Sequence, residues 1–246
     1  MKRFFRFLFA SIVMLLLFVM GWCFPTVAGA ADLAVKAPIY TPSGYVGWGG
    51  LYISGYGLYA ADTAAGTQVS NATGSFLADI ASAPRGPGVG GAIGYYFQPT
   101  PGGIVFGPRV DLAYAHMTGG GSIPSVLSVS NATNYLGDVD LIVGLPLGDG
   151  KLLAYLGGGF AFGGAKPNLQ VATLQQAAAD TSTGLNGLAG LSYQFTPNWQ
   201  IFIEGNYFQL GDKSLTMTDS TGALIATSLT KYHIFEQKVG VTFKLY

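Results

Sequence analysis

Seven charged residues recur at spacings that limit the chemistry they can do. Arg109 and Asp111 stand two apart, as do Asp138 and Asp140, and again Glu236 and Lys238; Glu204 stands alone. A spacing of two places both members on one face of a β-strand. If that face is enclosed, the charges must pair, because burying an unpaired charge is costly. Two readings follow: a plug of salt bridges, or an ion-conducting pore lined by the same groups. Counting residues from the flanking turns brings Arg109 level with Asp140 or Asp138 and makes Glu204–Lys238 a second expected pair. The excess of acids would make any pore weakly cation-preferring. His116 lies beside Tyr114 and His233 beside Tyr232. Imidazole and phenolate both ligate haem iron, so haem capture stands as a third reading against plain solvated rim residues. No histidine has a serine or carboxylate at a recognisable catalytic spacing. Nor is there a phosphate-binding glycine loop, a Cys/His metal cluster or a basic stripe for nucleic acid. The expectation is no enzyme, no cofactor, no metal and no nucleic-acid partner.

The elements that would position these charges are short strands. From residue 104, Ile104, Phe106, Pro108, Val110, Leu112 and Tyr114 form one apolar face, opposite Val105, Gly107, Arg109, Asp111, Ala113 and Ala115. Twelve residues rising about 3.3 Å each and tilted near 40° climb roughly 30 Å, enough for an apolar band of about 25 Å. Pro108 removes a ladder donor, which predicts a bulge or a missing hydrogen bond. Similar alternation predicts strands at about 48–60, 89–97, 135–145, 152–162, 183–195, from Trp199 through Tyr207, and from Phe235 to the end. On that last strand Phe235, Val239, Val241, Phe243 and Leu245 share the apolar face, with Lys238 and Gly240 among the residues opposite. Connections alternate long and short: polar stretches at 62–86, 118–134, 164–182 and 212–231, against turns such as Gln98-Pro99-Thr100-Pro101-Gly102-Gly103. Long outer loops and tight inner turns are the asymmetry of an outer-membrane barrel. The prediction is all-β: an eight-stranded antiparallel transmembrane β-barrel with four long extracellular loops. Aromatics then fall into two interface belts, Trp48, Phe97, Phe195, Trp199 and Phe243 below, and Tyr59, Tyr114, Tyr135, Tyr207 and Tyr232 above.

Composition points the same way. Residues 1–6 make a basic start with Lys2, Arg3 and Arg6, an apolar run broken only by Ser11 and Gly21 extends from Phe7 to Phe24, and Pro25 precedes the small-residue site Ala28-Gly29-Ala30. This predicts a secretory signal at 1–30, a periplasmic lead-in at 31–46 and the barrel at 47–246. Removing the signal takes away Lys2, Arg3, Arg6 and the single cysteine, Cys23, leaving nine basic against twelve acidic residues. Glycine is then about 16% of the chain, against roughly 7% in average proteins, and charged residues about 10% against roughly 25%. A soluble barrel would need more charge on its outside. No second apolar stretch reaches the roughly 18 residues of a membrane helix.

Several ordered motifs carry a family resemblance: Ala31-Asp32-Leu33 with Lys36-Ala37-Pro38, Trp48-Gly49-Gly50-Leu51-Tyr52-Ile53 and Tyr135-Leu136-Gly137. Further on come Phe195-Thr196-Pro197-Asn198-Trp199, Glu204 through Tyr207 to Leu210-Gly211, and Lys238-Val239-Gly240-Val241-Thr242-Phe243-Lys244. Together they resemble the small outer-membrane proteins of α-proteobacteria that include the 25- and 31-kDa surface antigens. That resemblance implies an eight-stranded barrel, an envelope-structural role and surface antigenicity. Some members are described as porins or haem binders. The family tends to place acids on strand three and arginines on strand four; here Arg109 is on the third and Asp138 and Asp140 on the fourth, an exchange of sign.

The expected function is an integral outer-membrane barrel that is structural and displays its loops. A narrow diffusion pore is the alternative, and haem binding a more remote one. Expected partners are outer-membrane lipid and the barrel-assembly machinery, which would read the final strand (Lys238, Gly240, Phe243, Leu245); the loops name no partner. Two Ser-Asn-Ala-Thr repeats, at 70–73 and 130–133, match a glycosylation pattern and are read as loop coincidence.

Overall fold

The protein is described by a computed structural model that covers residues 47–245, apart from 64–65, 72, 82, 125–126, 172–173, 178 and 219–223. The expected signal, the lead-in and Tyr246 lie outside the described residues. The strands are β1 Gly50–Asp62, β2 Gly66–Asn71, β3 Phe76–Ala81, β4 Arg85–Tyr96, β5 Val105–Ile123 and β6 Leu127–Leu147. They continue with β7 Leu152–Val171, β8 Leu174–Ala177, β9 Asp180–Gln194, β10 Trp199–Thr218 and β11 Leu224–Lys244. Eight of them form a ring in the order β1-β4-β5-β6-β7-β9-β10-β11, and antiparallel pairing of β11 with β1 closes it. Closure leaves the ring without a free edge, which is what a lipid-facing sheet requires.

The period-2 pattern decides which face meets lipid. On β5 residues 105, 107, 109, 111, 113, 115 and 117 are buried while their even-numbered neighbours are exposed. Exposed apolar side chains continue around the ring, among them Ile93, Leu141, Leu156, Leu191, Ile203 and Val239. Pro108 causes no bulge: β5 stays in register with β6 at Pro108↔Leu141. On its other side the continuous β4–β5 ladder stops at Gly94↔Arg109 and resumes only in the Phe97↔Phe106 bridge. The missing hydrogen bond therefore falls on the β4 side.

Polar stretches expected as loops at 118–134, 164–182 and 212–231 instead carry strand. β5, β6, β7, β10 and β11 run on through them, and the β2–β3 hairpin pairs onto β11. Polar alternation marks a strand leaving lipid for water as readily as a loop, and composition alone does not separate the two. A one-residue register shift between Thr133 and Leu136 turns β6 over at this transition. Below it the even positions Leu136, Asp138 and Asp140 face inward; above it Val129, Asn131 and Thr133 do. The Ser-Asn-Ala-Thr repeats consequently differ. Asn71 closes the β2–β3 turn by accepting from the amides of Thr73 and Ser75 (3.1 and 2.8 Å). Asn131 is buried inside the extension and donates to Thr67.

The interior is layered along the strands. Trp48, Val105, Ile142, Leu153 and Leu188 pack at the short-turn end. Next come the charges, then Leu58, Ala113, Met117, Leu136, Phe208 and Ile234. Last, inside the extension, lie Val69, Leu127, Val129, Leu169, Leu215 and Met217.

Candidate functional site

Of the aromatics expected in two interface belts, Trp199, Tyr114, Tyr207, Tyr59 and Phe195 are exposed on the outer wall, and Trp199 packs against Phe243 at 4.9 Å between ring centres. Two assignments are corrected. Trp48 is fully buried and its indole nitrogen donates to the Gly150 carbonyl at 2.7 Å, so it caps the lumen from inside. It precedes the first strand residue, where strand parity no longer applies. Tyr232 is buried because it shares the even, inward face of β11 with Ile234, Glu236 and Lys238. Its neighbour His233 lies on the other face, with Nδ1 3.1 Å from the Tyr207 hydroxyl. Tyr232 and His233 thus face opposite ways, and β1 and β4 stand between β11 and β5, which carries His116. The two Tyr–His groups considered for haem are therefore not brought to one site.

The seven charges do converge. Arg109, Asp111, Asp138, Asp140, Glu204, Glu236 and Lys238 are all buried in the lumen. Arg109 forks onto Glu204 across the barrel, Nη1 to Oε2 at 2.5 Å and Nη2 to Oε1 at 2.9 Å, and reaches Asp140 on the adjacent strand at 3.4 Å. Such a bidentate, charge-assisted contact is the strongest that two side chains of these types make. Lys238 sits 3.0 Å from Asp111, 3.5 Å from Glu204 and 3.9 Å from Glu236. Its ammonium also lies 4.9 Å from the centre of the Tyr56 ring. Both cations thus bind Glu204, which ties β5, β10 and β11 together.

Tyrosines and asparagines complete the belt. The Tyr155 hydroxyl donates to Glu204 at 3.0 Å, and the Tyr56 hydroxyl donates to Asp111. Asn206 donates to Asp138 at 3.1 Å, and Asn186 donates to Asn206 at 3.2 Å. Glycines make room: a Cβ at Gly90 or Gly190 would run into the ring of Tyr56 or Tyr155 respectively. Tyr56 and Tyr155 were not singled out from sequence. Their signal was parity, since each occupies the inward face of its strand. The space left beside Arg109, between Tyr96, Asp111 and Tyr155, is about 20 Å³, room for about one water. Of the final-strand residues, Gly240 faces inward against the backbone of Gly55, Lys238 joins the belt, and the Leu245 amide donates to the Leu51 carbonyl at 2.8 Å.

A closed antiparallel ring of eight strands, apolar outside and charged within, defines a transmembrane β-barrel of the outer-membrane class. The chain belongs to the outer membrane protein beta-barrel domain family, which matches residues 26–243, and it is an integral outer-membrane protein. Among solved structures it is similar to the outer membrane protein OprG from Pseudomonas aeruginosa, at 12% identity and a TM-score of 0.58, covering 80% of this chain and 96% of that one. It also matches Ail, the attachment invasion locus protein of Yersinia pestis, at 16% identity and a TM-score of 0.40, covering 80% and 99% respectively. At 12% identity the likeness to OprG is one of fold. No curated protein matches the chain.

Proposed function

We propose that this barrel is a structural and surface-display protein of the bacterial envelope, with a lumen closed by its own side chains. The observation that carries the reading is the cross-barrel fork of Arg109 onto Glu204, with Lys238 held between Asp111 and Glu204. Charges bonded to both walls leave the lumen only if several buried contacts break together. An eight-stranded barrel has an interior about as wide as its side chains fill. The apolar layers on either side of the belt, around Ile142 and around Leu136, add two further barriers to ions. Above them, strands extended past the aromatic level carry the outer hairpins into water. This role fits the α-proteobacterial 25- and 31-kDa surface antigens that the sequence motifs resemble, and it asks for no catalysis. Its partners are outer-membrane lipid and the machinery that assembles barrels. Liposome swelling tests the reading: vesicles holding the refolded barrel should swell no faster in arabinose than protein-free vesicles. Swelling that depends on solute size would replace the plug with a narrow pore. The five carboxylates set against two cations in the belt would make that pore cation-preferring.

A further inference from the structure

Arg85 opens β4 with its side chain exposed, and among the described residues it has no ion-pair or hydrogen-bond partner. Its register fixes its depth. Arg85 pairs with Ala61 on β1, one outward-facing step beyond the pair of Pro87 with the exposed Tyr59. His116 stands one such step beyond the exposed Tyr114 on β5, and His233 one step beyond Phe235, the cross-strand partner of Tyr207. All three therefore lie just outside the tyrosine level, where the apolar band of a membrane gives way to head groups.

Two imidazoles flank the arginine. His116 is diagonal to it, since Arg85 pairs with Thr118 on β5. On the other side Ala61 separates Arg85 from β11, because it pairs with both Arg85 and Phe235. His233 is held in place there. Its Nδ1 lies 3.1 Å from the Tyr207 hydroxyl, its carbonyl accepts from the amide and hydroxyl of Thr63 (2.6 and 2.8 Å), and its amide donates to Asp62. A tyrosine hydroxyl that donates to Nδ1 leaves the ring proton on Nε2, which can donate outward. Adjacent strands lie about 4.8 Å apart, so β4 and β11 flank Ala61 at about 10 Å, and an anion seated over Ala61 is reached from both sides. Carboxylates keep away from this spot: Asp62, Asp111 and Glu236 of β1, β5 and β11 are buried, and β4 has none. Asp180 and Asp212 are exposed at this end, but they stand on β9 and β10, on the far side of β11.

We propose that Arg85 and His233, with His116 beside them, bind the phosphate of an outer-leaflet lipid head group. The arginine fork matches two phosphate oxygens at once, and an imidazole N–H adds a further donor. The wall beneath completes the contact: Ile53, Ile93 and Leu112, on β1, β4 and β5, are apolar and exposed where the acyl chains of that lipid lie. A soluble phosphate would meet the same donors but gain nothing from this wall.

The test uses the full chain refolded into phosphatidylcholine nanodiscs doped with either phosphatidic acid or diacylglycerol, which share their acyl chains and differ in the phosphate. Native mass spectrometry of the barrel released from the discs counts the lipids it keeps. Phosphatidic acid should be retained and diacylglycerol should not. Arg85→Gln should weaken that retention about tenfold, the effect of one hydrogen bond to a charged group, and His233→Phe should weaken it less. Lys166→Gln, which removes an exposed cation on β7, should change nothing. Heat-modifiable gel migration confirms that each variant folds. Equal retention of the two lipids overturns the proposal, as does retention unmoved by Arg85→Gln in a folded barrel. Displacement of phosphatidic acid by inorganic phosphate at matched concentration also overturns it, since the site would then be one for a soluble anion.

Discussion

At the scale of single residues, Glu204 is the hub, touching Arg109, Lys238 and Tyr155 within 3.5 Å. Buried ion pairs stabilise little over apolar residues of the same shape, but removing one partner strands the other. Changing Arg109 to methionine should therefore cost on the order of 3–5 kcal/mol, read as a lower midpoint of urea unfolding in lipid vesicles. Pairing that change with Glu204→Leu should recover most of the loss. A double variant as unstable as the single one would mean that the fork is not the important contact. The sequence made the seven charges and the Arg109–Asp140 and Glu204–Lys238 juxtapositions legible, because neighbouring strands at equal height bring them together. It did not reveal the fork of Arg109 onto Glu204. That contact crosses the lumen between β5 and β10, which are not neighbours, and follows from the barrel's shear and not from residue spacing.

At the scale of elements, glycines sort into two kinds. A Cβ at Gly159 would collide with the Val139 carbonyl, whereas one at Gly187 would meet nothing within 4 Å. Gly159→Ala should slow or prevent folding, while Gly187→Ala should leave heat-modifiable migration unchanged. On the final strand, a charge at Phe243 removes its contact with Trp199 and places charge in the lower aromatic belt. It should impair assembly more than deletion of Tyr246; the reverse order would show that the terminal aromatic is what the assembly machinery reads. In the outer extension Lys213 lies 2.8 Å from Asp180 and holds that carboxyl below its usual range. The stabilisation is present above the unfolded value of about 4 and is lost as pH falls through the lowered folded value. Because Asp180 is largely exposed the effect is small. It should show as a lower protection factor, after correction for the intrinsic exchange rate, at the start of β9 in acid, a change absent in Lys213→Ala. Strand number, ring closure and the lipid face were legible from alternation with period two. The extended strands were not, since their outer halves are polar on the outside and their register shifts at Thr133–Leu136 break the pattern being followed.

At the scale of the whole molecule, layers alternate along the axis: an apolar cap around Trp48, the charged belt, a second apolar layer, and an apolar core within the extension. Under the proposed function each layer has its own part in closing the lumen, the apolar ones excluding ions and the belt holding its charges in place. The barrel spans the membrane, and under the proposed function it presents its outer hairpins without a continuous aqueous path. Single-channel recording of the refolded barrel in a planar bilayer tests this most directly. The account predicts a flat baseline at low and neutral pH; stable, unitary conductance steps with cation selectivity would contradict it.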